Sequence, residues 1–135
     1  MDKPELSKKN KYYLPKHRYY ELKHFCLQYP GWKHHLDILS DWPNRVAKQG
    51  RDDTNKDRRP TEQIIMKKMF LKERIELVEG VAKETDPVIG PYILRGVTEE
   101  RSYDQLRAAH DIPCCKDVYY NLYRKFFYLL SEARQ

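Results

Sequence analysis

The sequence predicts an all-α protein, a helical domain with a helix-turn-helix near its C-terminus and a basic, partly flexible arm at its N-terminus. Three observations carry this. Apolar residues recur every three or four positions in several stretches, the period of a helix rather than the alternation of a strand. Helix starts are marked by Pro15, Thr61 and Ser102, and stops by Pro and Gly behind the periodic stretches. The stretch SYDQLRAAHDIPCCKDVYYNLYRKFFYLL, residues 102–130, reads as two helices separated by a short break.

Residues 3–23 combine seven Lys and Arg with Tyr12, Tyr13, Tyr19 and Tyr20. Bases and rings interleaved in this way can hold phosphates and stack on nucleobases. From Pro15, a good first helical residue, Tyr19, Leu22, Phe25 and Cys26 nevertheless follow a helical period, which places at least some of the rings in a core. Helix one is predicted over Pro15 to Gln28, stopping at Tyr29-Pro30-Gly31. A second, Trp32 to Leu39, puts Trp32, Leu36 and Leu39 on one side and ends at Ser40-Asp41-Trp42-Pro43. Residues 43–60, PNRVAKQGRDDTNKDRRP, hold one aliphatic, Val46, and read as a flexible basic linker. The predicted division is thus an N-terminal helical segment 1–42, a linker 43–60 and a helical domain 61–135.

Pro60-Thr61-Glu62 opens a long helix to about Glu84. In it Ile64, Leu71, Ile75, Val78 and Ala82 are spaced 7, 4, 3 and 4, one apolar stripe that wants a partner. A stripe this regular predicts a homodimer. Asp86-Pro87 opens a shorter helix through Ile89, Ile93 and Leu94, ending at Gly96. Ser102 then caps a helix with Tyr103, Leu106 and Ala109 at helical spacing, and Pro113 halts it near His110 by removing a donor and biasing Ile112 away from helical angles. The last helix carries Val118, Leu122 and Leu129 on its core face. From Tyr119 to Leu130 it is apolar almost all round, so its C-terminal half belongs to a core or a dimer interface.

A short capped helix, a tight turn and a longer helix with polar first turns is the layout that places its second helix in the DNA major groove. The side chains expected to contact DNA are Cys115, Lys116, Asp117, Tyr120, Asn121, Arg124 and Lys125, with Arg58 and Arg59 of the linker on phosphate. Residues 1–60 hold 14 basic against 8 acidic side chains, whereas residues 61–135 hold 12 of each. All the surplus of the net charge of +6 therefore lies in the N-terminal half, where phosphate tracking could use it.

Other chemistries find little support. No GxxxxGK loop or nucleophile elbow is present, and Glu99-Glu100 and Asp52-Asp53 sit in polar loops, so no catalysis and no cofactor are expected. His24, Cys26, His34 and His35 lack paired metal-ligand spacing, so no metal is expected either. Three cysteines, two of them adjacent, fit a reducing compartment rather than a disulfide framework. The apolar run Phe126 to Leu130 is far short of the roughly 20 residues of a membrane span. The N-terminal MDKPELSKKNK has no secretory core, and a cytoplasmic protein is expected.

From about Asp86 to Arg134, and above all in IPCCKDVYYNLYRKFFYLLSEAR, the chain resembles small transcriptional regulators of phages and prophages of Gram-positive bacteria, the late-gene activators of the RinA and ArpU type. The resemblance implies a sigma-factor-like helix-turn-helix, double-stranded DNA as partner, and activation through the RNA polymerase of the bacterial host. The alternatives are a small terminase-like DNA-packaging subunit and a helical adaptor that contacts only protein. The chain departs from the common pattern at one point. Ile112 and Val118 are six residues apart, where helix-turn-helix proteins commonly have about five. Either the turn is one residue longer, or a neighbour of Val118 fills the core position.

Overall fold

A computed structural model describes residues 10–41 and 61–135, among which there are six helices and no strand. The protein is all-α. In chain order the helices are α1 Lys16–Leu27, α2 Tyr29–Ser40, α3 Glu62–Thr85, α4 Gly90–Glu99, α5 Tyr103–His110 and α6 Lys116–Ala133. The expected linker 43–60, with Arg58 and Arg59, lies outside the described residues.

α1 buries Leu22, Phe25 and Cys26, which share one face at the spacing the sequence indicated. The expected stop at Tyr29-Pro30-Gly31 is instead the first turn of α2, separated from α1 by the single αR residue Gln28. Proline is tolerated there because the first amide groups of a helix have no intrahelical acceptor to lose. α2 buries Tyr29 and Trp32, and packs Leu36 and Leu39 at the margin of the core. The Tyr29 hydroxyl donates to Glu79 Oε2 and so ties α2 to α3.

α3 starts as expected, with the Thr61 hydroxyl accepting from the Ile64 amide at 3.3 Å. Leu71, Ile75, Val78 and Ala82 are buried, and α3 packs on α2, α4 and α6. The stripe expected to form a dimer seam is therefore used up within the chain, apart from half-buried Ile64 at its start. After α3 the Asp86 carboxylate accepts from the Val88 and Ile89 amides at 2.9 and 2.7 Å, turning the chain into α4.

Gly96 does not end α4. The helix runs on to Glu99 and closes with Glu100 in the left-handed region at φ 57°. Gly96 is needed for a different reason: a Cβ on it would overlap the hydroxyl of Tyr119, a ring on α6 with no exposed surface. α4 and α6 thus approach to a distance that only glycine permits. α5 opens with a reciprocal capping box, Ser102 Oγ accepting from the Gln105 amide at 3.2 Å and Gln105 Oε1 accepting from the Ser102 amide at 2.9 Å. It ends at Asp111, left-handed at φ 52°, whose amide bonds the Arg107 carbonyl at 3.0 Å.

Tyr119 also corrects the expected register of α6. Val118, expected in the core, is 46% exposed, while Tyr119 is 0% exposed and Leu122 only half-buried. A neighbour of Val118 fills the core position, the second of the two alternatives left by the six-residue spacing. Below Tyr119 the helix lays down Tyr123, Phe126, Phe127 and Leu130, with Tyr119–Tyr123 and Tyr123–Phe127 centroids 6.1 and 5.1 Å apart.

The first helix is clasped to the last. Arg18 Nε donates to Ser131 Oγ at 3.0 Å, and its Nη2 donates to the Ser131 carbonyl at 3.1 Å, one of the carbonyls a helix C-terminus leaves open. Tyr19 stacks edge-on against Phe127 at 5.2 Å, and its hydroxyl lies 2.9 Å from that of Tyr123. Tyr12 meets Tyr128 at 5.7 Å, and the Arg134 guanidinium sits 3.8 Å above the Phe25 ring. These N-terminal rings are spent on packing.

Two tests follow from the packing. Tyr119→Ala should lose about 3–5 kcal/mol and Gly96→Ala about 1–3 kcal/mol by chemical denaturation, whereas Val118→Ala should stay within about 0.5 kcal/mol. A Val118→Ala cost equal to that of Tyr119→Ala would restore the expected register. The second test uses Cys26, whose thiol burial pushes up to about 12 from an ordinary 9.0. Burial, joined at Tyr29 by Glu79 and at Tyr123 by Tyr19, also raises Tyr29, Tyr119 and Tyr123. The folded chain therefore holds these protons longer than the unfolded chain, so their stabilisation is complete below pH 9 and is lost as pH rises toward 12. Denaturation midpoints measured at intervals above pH 9 should fall, and less steeply in Cys26→Ala.

Candidate nucleic-acid interface

The side chains expected to meet DNA stand on the N-terminal half of α6, whose position is fixed from three sides. Ile112, 4% exposed, anchors the connecting segment 111–115 in the core. The Tyr103 hydroxyl donates to the Cys114 carbonyl at 2.6 Å and accepts from Arg107 Nη1 at 3.4 Å, so α5 grips the end of that segment. Tyr120 closes the third side, its hydroxyl accepting from the Tyr103 amide at 3.2 Å. Burial, then Cys115 and Asp86, raise the Cys114 thiol above its ordinary pKa, which places the turn after α3 beside this segment.

Cys115 is the N-cap of α6, in extended geometry, and its side chain makes no capping bond. The first amide groups of α6 thus receive no bond from the N-cap side chain, at the positive end of the helix dipole. That is a fit for an anion such as a phosphate.

At 100° per residue the side of α6 opposite Tyr119, Phe126 and Leu130 carries Asp117, Asn121 and Arg124, with Val118 and Lys125 on one flank. Cys115, Lys116, Asp117 and Asn121 are exposed, and Arg124 and Lys125 are half-buried along their stems. The structure brings these six together on one end of α6. Tyr120 departs from the expectation: its ring turns in against α5, 5.0 Å from the Tyr119 ring, and is half-buried. Arg58 and Arg59 lie outside the described residues.

Lys116 Nζ stands 3.9 Å from Asp104 Oδ2, with the two side chains 55% and 78% exposed. An ion pair so open to water is worth little, up to about 1 kcal/mol, and leaves Lys116 free to take a phosphate instead. Among the described residues the Asn121 amide has no hydrogen-bond partner. Sequence reasoning missed Val118 as a member of this surface. The signal was present in the six-residue spacing from Ile112, which departs from the usual five and so left open that a neighbour of Val118, here Tyr119, takes the inward position.

Behind this surface, a cleft of 210 Å³ between α1, α4 and α5 is lined by Lys23, Glu100, Ser102 and Gln105 among others. Its polar rim is occupied internally. Lys23 pairs with Glu100 at 4.0 Å, and Ser102 and Gln105 hold each other in the capping box. Among the described residues no three His, Cys, Asp or Glu side chains gather as a metal site needs. No described helix is long and apolar enough to cross a membrane. Comparison of the chain with models of protein families, with curated proteins and with solved structures finds no match.

Proposed function

We propose that the chain is a sequence-specific regulator of transcription that binds duplex DNA through α5 and α6, with α6 as the reading helix. The observation that carries this is the first two turns of α6, where amides without an N-cap side-chain bond, Lys116, Asp117 and Asn121, whose amide has no partner among the described residues, stand exposed on a helix braced from behind by α4. Such a set divides the work of recognition. The amides, Lys116 and the stems of Arg124 and Lys125 position the protein on phosphates, and Asn121 presents a donor and an acceptor to a base edge.

The outer side of α6 has few cations to spare, since Lys116, Arg124 and Lys125 are set against Asp104 and Asp117. Phosphate attraction at longer range falls to the basic surplus of residues 1–60. The resemblance of residues 86–134 to late-gene activators of phages and prophages supports activation of phage genes through the host RNA polymerase, in the cytoplasm of the bacterial host.

A second reading, a helical adaptor that contacts protein, is favoured by one observation. Ile65, Met66, Met69 and Phe70 on α3 are 47, 61, 58 and 44% exposed, and no other described stretch leaves so many large apolar side chains in water. Apolar patches of this kind mark contact with another protein. The same patch is where a second copy would seat, now that the stripe at Leu71, Ile75 and Val78 is spent inside the fold.

Binding of duplex fragments should weaken steeply with salt, with a log–log slope of about −0.9 per phosphate neutralised. Removing residues 1–11 or neutralising Arg58 and Arg59 should flatten the slope and leave sequence preference intact. Asn121→Ala should keep stability within about 0.5 kcal/mol yet lose about 1–3 kcal/mol of affinity at particular base pairs. Full DNA affinity in alanine variants at Lys116, Asn121 and Arg124 alike would discard the DNA reading in favour of the adaptor. For assembly, light scattering at micromolar concentration should give a dimer that Met69→Asp converts to a monomer. A monomeric mass with and without DNA removes the dimer.

A further inference from the structure

We infer that the DNA target contains two adjacent A·T pairs read by Asn121 and Val118, with Asn121 on an adenine and Val118 against the methyl group of a neighbouring thymine. This rests on the DNA reading proposed above. It starts from the observation that displaced Val118 from the core. A β-branched aliphatic, 46% exposed, occupies the first turn of α6 beside its outer side, three residues before an Asn whose amide has no partner among the described residues.

Chemistry narrows what such a pair can recognise. In the major groove adenine offers an acceptor at N7 and a donor at N6, which the donor and acceptor of one carboxamide match together. Guanine offers two acceptors there, so the Asn121 carbonyl would meet a lone pair. The thymine 5-methyl is the apolar group of the major groove, and a branched aliphatic is a natural cover for it. Residues three apart in a helix are separated by about 4.5 Å along its axis, close to the roughly 3.4 Å between base pairs along a strand, so both contacts fall within two steps. Asp117, exposed one turn before Asn121 on the same side, is an acceptor only. Its carboxylate adds a bias against the acceptor-rich edge of guanine.

The test begins with selection of bound duplexes from a random pool by the full-length chain at physiological salt. The enriched site is then remade with uracil in place of each thymine, which removes only the methyl group, and with 7-deazaadenine in place of each adenine, which removes N7. The wild-type chain should lose about fourfold in affinity at one uracil position, the equivalent of one buried methyl group. It should lose roughly tenfold at one adjacent 7-deazaadenine. Val118→Ala, checked for unchanged helicity, should show the same fourfold loss on the thymine duplex and no further loss on the uracil duplex. Asn121→Ala should be indifferent to 7-deazaadenine. An enriched site that tolerates every uracil, or a Val118→Ala chain that remains uracil-sensitive, overturns the assignment of Val118 while leaving DNA reading intact. A pool from which no sequence is enriched overturns the DNA reading as well.

Discussion

The close approach of α4 and α6, made where Gly96 gives way to the Tyr119 ring, is the constraint on which the rest of the candidate interface depends. A helix packed by its aliphatic residues alone could roll about its axis by a fraction of a turn at little cost. A ring as large as tyrosine seated against a residue without a side chain cannot, because any rotation drives the hydroxyl into backbone or opens a void. With Tyr119 fixed inward, Tyr123, Phe126 and Leu130 follow it into the core and Asn121 and Lys125 are turned outward. The same contact makes α4 a strut for α6, so that force applied to the outer side of α6 is taken up by the core rather than by the short segment 111–115.

The largely aliphatic core that receives α6 also takes in Tyr29, Tyr103 and Tyr119, with Tyr19 and Tyr123 packed against it, and their hydroxyl groups constrain its form. A buried phenol costs free energy unless it finds a partner, and here most of them do so across long stretches of sequence. Tyr29 reaches Glu79, Tyr103 reaches the Cys114 carbonyl and Tyr19 meets Tyr123. Each such bond restricts how two helices can slide, which aliphatic packing alone does weakly. Tyr119 is the exception: its hydroxyl has no hydrogen-bond partner among the described residues, and its place is set by shape.

Much of the fold could be read from the chain because local signals and tertiary packing agree. Thr61 and Ser102 cap the helices they were expected to cap, and Leu71, Ile75, Val78 and Ala82 are buried as their spacing required. The failures share a cause, which is that a residue type was read for its commonest role. Pro30 reads as a stop, although a proline in a first turn costs a helix little. Gly96 reads as a C-cap, whereas its lack of a side chain serves a neighbour that sequence alone does not place beside it. The stripe of α3 was read as a dimer seam because periodicity reports that an apolar side needs a partner and not whether the partner is another chain. For the outer side of α6, Lys116, Asp117, Asn121 and Lys125 were legible from residue type. Val118 and Tyr120 were exchanged because the face assignment rested on a turn length that local sequence does not fix.

The clasp between Arg18 and Ser131 has a bearing on how the protein comes into being. The two residues are separated by 113 positions, so the α6 side of the seat for the first helix, which α2 and α4 complete, does not exist until α6 has been synthesised. Closing a loop of that length costs chain entropy that grows only slowly with its size, yet it must be met before the contact returns anything. Until then Leu22, Phe25 and the rings of α1 have no cover at their α6 side. Until α6 is made, a nascent chain would hold the α6 side of α1 open to solvent. Closure of α1 onto α6 would come late, and the interval before it is the time at which this part of the chain is most open to aggregation and to chaperones.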